Sequence, residues 1–209
     1  MIQELYGKFK KDTKIVAYAR FNQSKRLARK SWWSLFSISA ISFSLIMISI
    51  GEKFFDVKEI TPLIFTSISI QAWVFSLFCS IVILALSVAI SSSKIDVRYE
   101  KITASAIKIN KISREVELEY ELGGSNVEKY ESLLHEYNLS LITDMTNHDE
   151  IDFHIAKLSI NNKKVFTFYF NYYFKQYLEL FPYFIISIIS LSTIMSVIIK
   201  IIQVSHLSC

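Results

Sequence analysis

The stretch RFNQSKRLARKSWWSLFSISAISFSLIMISI, residues 20–50, sets five cations, Arg20, Lys25, Arg26, Arg29 and Lys30, directly against a run that carries no charge. That run, Ser31 to Ile50, is 20 residues long and wholly apolar or hydroxyl-bearing. A helix rises about 1.5 Å per residue, so about 20 residues cross the hydrocarbon core of a bilayer. The junction reads as the point where a chain enters a membrane, with Arg26, Arg29, Lys30, Trp32 and Trp33 at the interface.

Working outward, two further runs have spanning length: SIQAWVFSLFCSIVILALSVAI at 69–90 and LELFPYFIISIISLSTIMSVIIKII at 178–202. In the last, Lys200 lies near the end, where it can snorkel to the interface. A chain of 209 residues that is 52% hydrophobic, with a mean hydropathy of +0.34, has little left for a large independent enzyme domain. The pattern predicts an all-α membrane protein with about three transmembrane helices and a cytosolic, coiled-coil-like helical hairpin between the second and third. By residue, this gives a cytosolic basic helix at 1–30, a first span at 31–50 and a short external loop at 51–68. A second span at 69–91, the hairpin at 92–160, an aromatic interfacial segment at 161–177 and a third span at 178–202 follow. The first run is too long, and too far from the start, for a cleaved signal peptide, and reads as an anchor. Cys79 lies mid-span and Cys209 is the last residue, so no disulfide framework is expected.

Orientation follows from cations beside the spans. Nine Lys or Arg precede the first span, whereas the loop GEKFFDVKEITP holds only Lys53 and Lys58 among three acids. After the second span the chain is basic again, with Lys94, Arg98, Lys101, Lys108, Lys111 and Arg114. The positive-inside rule places the N-terminus and this segment in the cytoplasm, and a true third span leaves the C-terminus outside. Trp73 and the cluster FTFYFNYYFKQY at 166–177 supply further interfacial aromatics. The net charge of +4 is accounted for by topology and contact with anionic lipid, and no base-reading motif is present, so direct nucleic-acid binding is not expected.

Beyond the second span, Ile95, Tyr99, Ile102, Ala106, Ile109, Ser113, Val116 and Tyr120 recur at steps of four and three, the spacing of a coiled-coil seam. No Gly or Pro occurs between Pro62 and Gly123. The span is therefore expected to continue as one rod until Gly123 and Gly124 stop it. SNVE at 125–128 has the form of a capping box for a return helix whose Val127, Tyr130, Leu134, Tyr137 and Leu141 form a second stripe. Two occupants can fill the rod's seam. One is another subunit, which makes Ile95, Tyr99, Ile102, Ala106, Ile109, Val116 and Tyr120 an oligomer contact. The other is the chain itself, through the return helix or a leading helix at about Thr13 to Lys30.

Catalytic chemistry finds little support. His135, His148 and His154 stand near Asp149, Glu150 and Asp152, but the two later histidines are six apart, which fits neither a helical zinc pair nor a finger. Four glycines, scattered as Gly7, Gly51, Gly123 and Gly124, build no phosphate loop. The reading is a non-enzyme with no metal and no cofactor. Within the spans, Ser76, Ser80, Ser87 and Ser91 lie close to one face, and Ser192, Ser196 and Gln203 do so in the third run. Such hydroxyls either wall a water-filled path in an oligomer or allow close helix packing while bonding their own i−4 carbonyls. No ring of charges marks a selectivity filter, so a pore here would select poorly.

The order of basic helix, span, short loop, span, SSSKIDVRYEKITASAIKINKISREVE and then YESLLHEYNLSLITDMTNHDEIDFH resembles the SLATT family, membrane domains of bacterial conflict systems. The resemblance covers roughly residues 14–155. It rests most on the SSS exit with Tyr99, on YESLL, and on the NHDEIDF motif carrying Asn147, His148, Asp152 and Phe153. It implies a pore-forming effector of anti-phage defence and abortive infection, whose homo-oligomers perforate or depolarise the bacterial inner membrane. It also implies an operon-encoded nucleotide-synthesising or reverse-transcriptase partner. The aromatic cluster and third apolar run lie outside the two-span core of that resemblance. The alternative is a non-conducting membrane scaffold or sensor that anchors a cytosolic partner.

Overall fold

The computed structural model describes residues 2–62, 69–144, 149–161 and 166–207. The elements are α1 (Ile2–Phe55), β1 (Glu59–Ile60), β2 (Ile70–Gln71), α2 (Ala72–Ser93), α3 (Ile95–Glu121), α4 (Val127–Asp144), α5 (Glu150–Ile160) and α6 (Phe166–Leu207). α1, the stretch that opens with α2, and α6 are each long and apolar enough to cross a membrane. The chain is an all-α integral membrane protein with a helical hairpin, α3 and α4, between its second and third span-length helices.

Several boundaries differ from those the sequence suggested, each for a local reason. The leading helix does not begin near Thr13 and stop at Lys30; it is one with the first span and with GEKFF, as 54 continuous residues. The chain's prolines, Pro62 and Pro182, lie outside it, and the change from basic to apolar side chains at Lys30 asks nothing of the backbone. The expected loop at 51–68 accordingly starts after Phe55. It pairs in short antiparallel fashion with the first residues of the expected second span, Glu59 with Gln71 and Ile60 with Ile70, continued by Ala72 N–H donating to Lys58 C=O at 2.8 Å.

The rod is not one helix with the second span. Lys94 adopts φ 47°, in the left-handed region, and its N–H turns back to Ser91 C=O at 3.4 Å, which ends α2 before α3 begins. The glycine stop is present as a Schellman pair: Gly123 N–H reaches Tyr120 C=O at 3.2 Å and Gly124 N–H reaches Glu119 C=O at 2.9 Å. Gly124 is required twice over. Its φ is +53°, and a Cβ there would come within 3.1 Å of Tyr6 Cδ2 and 3.3 Å of Gln3 Cα. The return helix is capped by Asn126 in place of Ser125, its Oδ1 accepting from Lys129 N–H at 3.0 Å. The aromatic segment and third apolar run form one helix, α6, with Pro182 inside it.

Two compact units emerge. Unit one takes α1 as far as Arg29 together with Ile95–Gln176; unit two takes Lys30–Lys94 and the chain from Tyr177 onward. The core of unit one gathers Tyr6 and Phe9 of α1, Ile112 and Val116 of α3 and Leu133 of α4. Tyr130 meets both Tyr6 and Phe9 edge to face, with ring centroids 5.1 and 5.6 Å apart. Around it, Lys10 pairs with Glu117 at 2.9 Å, Ser24 and Thr103 hydroxyls lie 2.7 Å apart, and Arg20 bonds to Ser105.

The residues of the expected oligomer seam lie within this packing. Ile95, Ile102, Ala106, Ile109 and Val116 are buried inside the single chain, with Tyr99 and Tyr120 half-buried. The buried stripe is also wider than a seam, because it takes in Ser105, Ile112 and Ser113. Packing of α1 and α4 against α3 covers Ile112 and Val116 of this stripe.

In unit two, Ile41, Ile48, Ile60, Ala72, Phe75, Cys79 and Val197 form the apolar core. Small polar residues lie along α1 and α6: Ser34, Ser37, Ser44, Ser187, Ser190, Thr193 and Ser196 are all buried. Ser37 Oγ lies 2.7 Å from Trp33 C=O in its own helix, 2.9 Å from Tyr183 C=O and 3.2 Å from Ser187 Oγ. Ser187, Ser190 and Thr193 each donate to the carbonyl four residues earlier, at 2.8, 2.8 and 2.9 Å. This is the close, small-residue packing that holds helices together in lipid, where no hydrophobic force drives them together. Gly51 serves the same end, since a Cβ there would meet Val197 Cγ1 at 3.0 Å. Lys200 donates to Glu59 C=O in the loop pairing.

Candidate functional site: a buried arginine–aspartate clamp

The short helix α5 opens with three acids in four positions, Asp149, Glu150 and Asp152, a placement favoured by the partial positive charge at a helix N-terminus. Asp149 stands at the N-cap position, φ −68° and ψ 143°, yet its side chain does not cap the helix. It bonds instead to Arg26 of α1. One turn on, Asp152 sends Oδ2 to the same Arg26 guanidinium at 3.0 Å. Its other oxygen, Oδ1, accepts from the Tyr172 hydroxyl of α6 at 3.3 Å. A single carboxylate thus ties together α1, α5 and α6 within unit one.

The electrostatics are those of a desolvated cluster. Asp152 is 0% exposed and the Arg26 side chain 11%. Burial pushes the Asp152 carboxyl up from the ordinary range, against the pull of Arg26 and the Tyr172 hydrogen bond. The Tyr172 phenol is pushed up to about 12, by burial first and by the neighbouring carboxylate second. It stays a hydrogen-bond donor throughout the physiological range. The chemistry of the arrangement is that of a latch, in which two charges and a phenol are satisfied only while three helices stay together.

The sequence-selected residues distribute unevenly over this cluster. Asp152 sits at its centre, and Phe153 packs with Ile160 against Ile15, Ala19 and Ala156. Asn147 and His148 lie outside the described residues. His154 stands beside Glu150, Nε2 to Oε1 3.4 Å, away from the carboxylate at the centre. Arg26, read as a membrane-interface cation, is instead withdrawn from solvent into the clamp, because it meets two carboxylates that lie over a hundred residues away in the chain. Arg29 and Trp32 are exposed, and Trp33 is half-buried with its ring edge-on to Phe184 at 5.6 Å. Tyr172, taken only as part of an aromatic belt, was missed. The available signal was the Asp149–Asp152 pair, two acids of one helical turn in a basic chain that demand a cation. On α2, Ser80, Ser87 and Ser91 are exposed and Ser76 half-buried. Ser80 Oγ bonds Ser76 C=O at 2.9 Å.

Comparison with known families gives one match: the SLATT model described as SMODS and SLOG-associating 2TM effector domain family 5 aligns with residues 3–198. That alignment runs well into α6, so the aromatic cluster and most of the third apolar run, set outside the resemblance on sequence grounds, fall within the family's extent. No curated protein and no solved structure matches.

Proposed function

The chain belongs to the SLATT family of SMODS and SLOG-associating 2TM effector domains, and from that premise we propose that it is a non-enzymatic membrane effector of a bacterial conflict system. On activation it oligomerises and permeabilises or depolarises the inner membrane, answering to an operon-encoded nucleotide-synthesising or reverse-transcriptase partner. The family match over residues 3–198 carries the effector reading. What supports assembly is the state of the second span. Only 11% of its apolar window is buried, against 39% for those of α1 and α6. Trp73, Leu77, Leu84 and Val88 stand exposed on it beside Ser80, Ser87 and Ser91. Serines three and four positions from leucines on an uncovered apolar helix suit close approach of a second copy, and in a ring of copies they supply hydroxyls to a water path. The α2 face offers a subunit contact beside the one sought on α3.

Two bulky substitutions test this. Ser80→Phe with Ser87→Phe keeps α2 apolar and insertable but blocks close contact. It is expected to weaken association about tenfold, a loss of about 1.4 kcal/mol. Crosslinked oligomers and the response of a potential-sensitive dye should fall together in induced cells. Wild-type oligomers and undiminished depolarisation would remove α2 from the interface, and a wild-type protein that never depolarises cells, with or without its partner system, would favour the scaffold.

Orientation is a second expectation. Nine cations ahead of the first span place the N-terminus in the cytoplasm. A reporter inserted at Gly123 should read as cytoplasmic and one fused after Cys209 as periplasmic. A cytoplasmic signal at the second site would show that α6 does not cross.

A further inference from the structure

Unit one contains a cavity of about 720 Å³ beside the clamp, with α1, α3, α5 and α6 in its walls. Sites for small ligands commonly enclose about 300–1,000 Å³. Lys25 and Arg29 stand on one wall, Tyr169, Tyr172 and Tyr173 on another, and Gln176 among them. No Asp or Glu lines it among the described residues. Lys25 and Arg29 have no ion-pair partner among the described residues, so their positive charge is uncompensated there. Gln176 is only 4% exposed, yet its Oε1 has no hydrogen-bond partner. A buried carbonyl oxygen left without a donor is costly, by about 1–3 kcal/mol, and points to a missing N–H or O–H.

Each wall specifies part of a ligand. Two unneutralised cations, one an arginine, call for an anionic group of the phosphate kind. Phenol rings call for an apolar or planar body. The orphan Gln176 oxygen calls for a hydroxyl or amino donor. We propose that this cavity is a binding site for a phosphate ester that also carries hydroxyl or amino donors. Two sources share that chemistry, the headgroup of an anionic glycerophospholipid and a free nucleotide. Arg29 and Gln176 are the residues at which the chain leaves unit one toward its first and third apolar runs.

The test uses the full chain in a mild non-ionic detergent. It is titrated separately with dihexanoyl phosphatidylglycerol, with ATP and with dihexanoyl phosphatidylcholine, and bound ligand is read by native mass spectrometry. Saturable binding of phosphatidylglycerol, of ATP or of both is expected, with phosphatidylcholine at least about tenfold weaker because its charge is neutralised. Which of the first two saturates identifies the source. Lys25→Gln with Arg29→Gln should weaken binding about tenfold or more, and Gln176→Leu should weaken it several-fold. Lys101→Gln with Lys108→Gln, the same charge change on exposed α3 positions, should leave it unaltered. Binding of neither ligand, equal binding of phosphatidylcholine, or equal loss in both double variants overturns the proposal. None of these outcomes bears on depolarisation, so the effector reading stands or falls separately.

Discussion

Arg26→Ala is expected to lower the stability of unit one by about 3–5 kcal/mol, because it leaves the Asp152 carboxylate buried without its counter-charge. Most of that loss is the desolvation of an abandoned charge and not the intrinsic worth of the pair. Replacing both partners, Arg26→Met with Asp152→Leu, should therefore recover most of it. Tyr172→Phe, which removes one 3.3 Å hydrogen bond, should cost about 1 kcal/mol. Asp149 is 46% exposed at its side chain, and Asp149→Ala should cost still less. Urea titration of the detergent-solubilised protein, followed by protease susceptibility of residues 95–176, reads each value. A double replacement as damaging as Arg26→Ala alone would show that the clamp matters for its shape and not its charge.

The second large effect is expected from Ile102→Asp with Ile109→Asp. Both isoleucines are buried, at 3% and 0% exposure, inside one chain. Each substitution forfeits about 2 kcal/mol of apolar burial and takes a carboxylate out of water. Together they approach or exceed the whole stability of an ordinary domain, about 5–15 kcal/mol, so unit one should unfold while the apolar runs still insert. The readout is limited proteolysis of washed membranes. The double variant should be cut throughout residues 95–176 under conditions that spare the wild type, and Ile109→Val, at about 0.5–1.5 kcal/mol, should resemble the wild type. A protease-resistant double variant that has lost only its oligomers would restore α3 as a subunit contact. Loss of depolarisation in this variant would say nothing about assembly, which is why the α2 serines are the better probe of it.

How far the sequence could be read depended on how local each signal was. The spans were legible because a run such as Ser31–Ile50 declares its solvent by composition alone. The end of α3 was legible because Gly123 and Gly124 supply positive φ without penalty. Lys94 was not, since lysine carries no preference for the left-handed region it occupies at φ 47°. The continuity of α1 was hidden by chemistry that changes abruptly at Lys30 while helix propensity does not. The stripe on α3 was found with its occupant left open between a second subunit and the chain itself, because a period of three and four states that a face is covered and is silent about what covers it. Arg26, Asp152 and Tyr172 were each visible as residues and invisible as a cluster. Their separations of 126 and 20 positions are closed only by folding.

The hydroxyl seam of unit two has a mechanical consequence. Ser187, Ser190 and Thr193 already have acceptors on their own helix, at 2.8, 2.8 and 2.9 Å. When α6 slides along or parts from α1, Ser187 gives up its contact with Ser37 Oγ at 3.2 Å, but each of the three keeps the acceptor on its own helix. Apart from Ser37, which also reaches Tyr183 C=O at 2.9 Å, these serines and the threonine hold the contact by dispersion, which fades within about an ångström and resists motion only weakly along the helix axes. Such a surface works as a bearing, with low friction and many nearly equivalent stops. The Arg26–Asp152 clamp is a detent, either seated or sprung. Within its own unit, each contact sets a different resistance to motion: the seam yields gradually, and the clamp gives way at once.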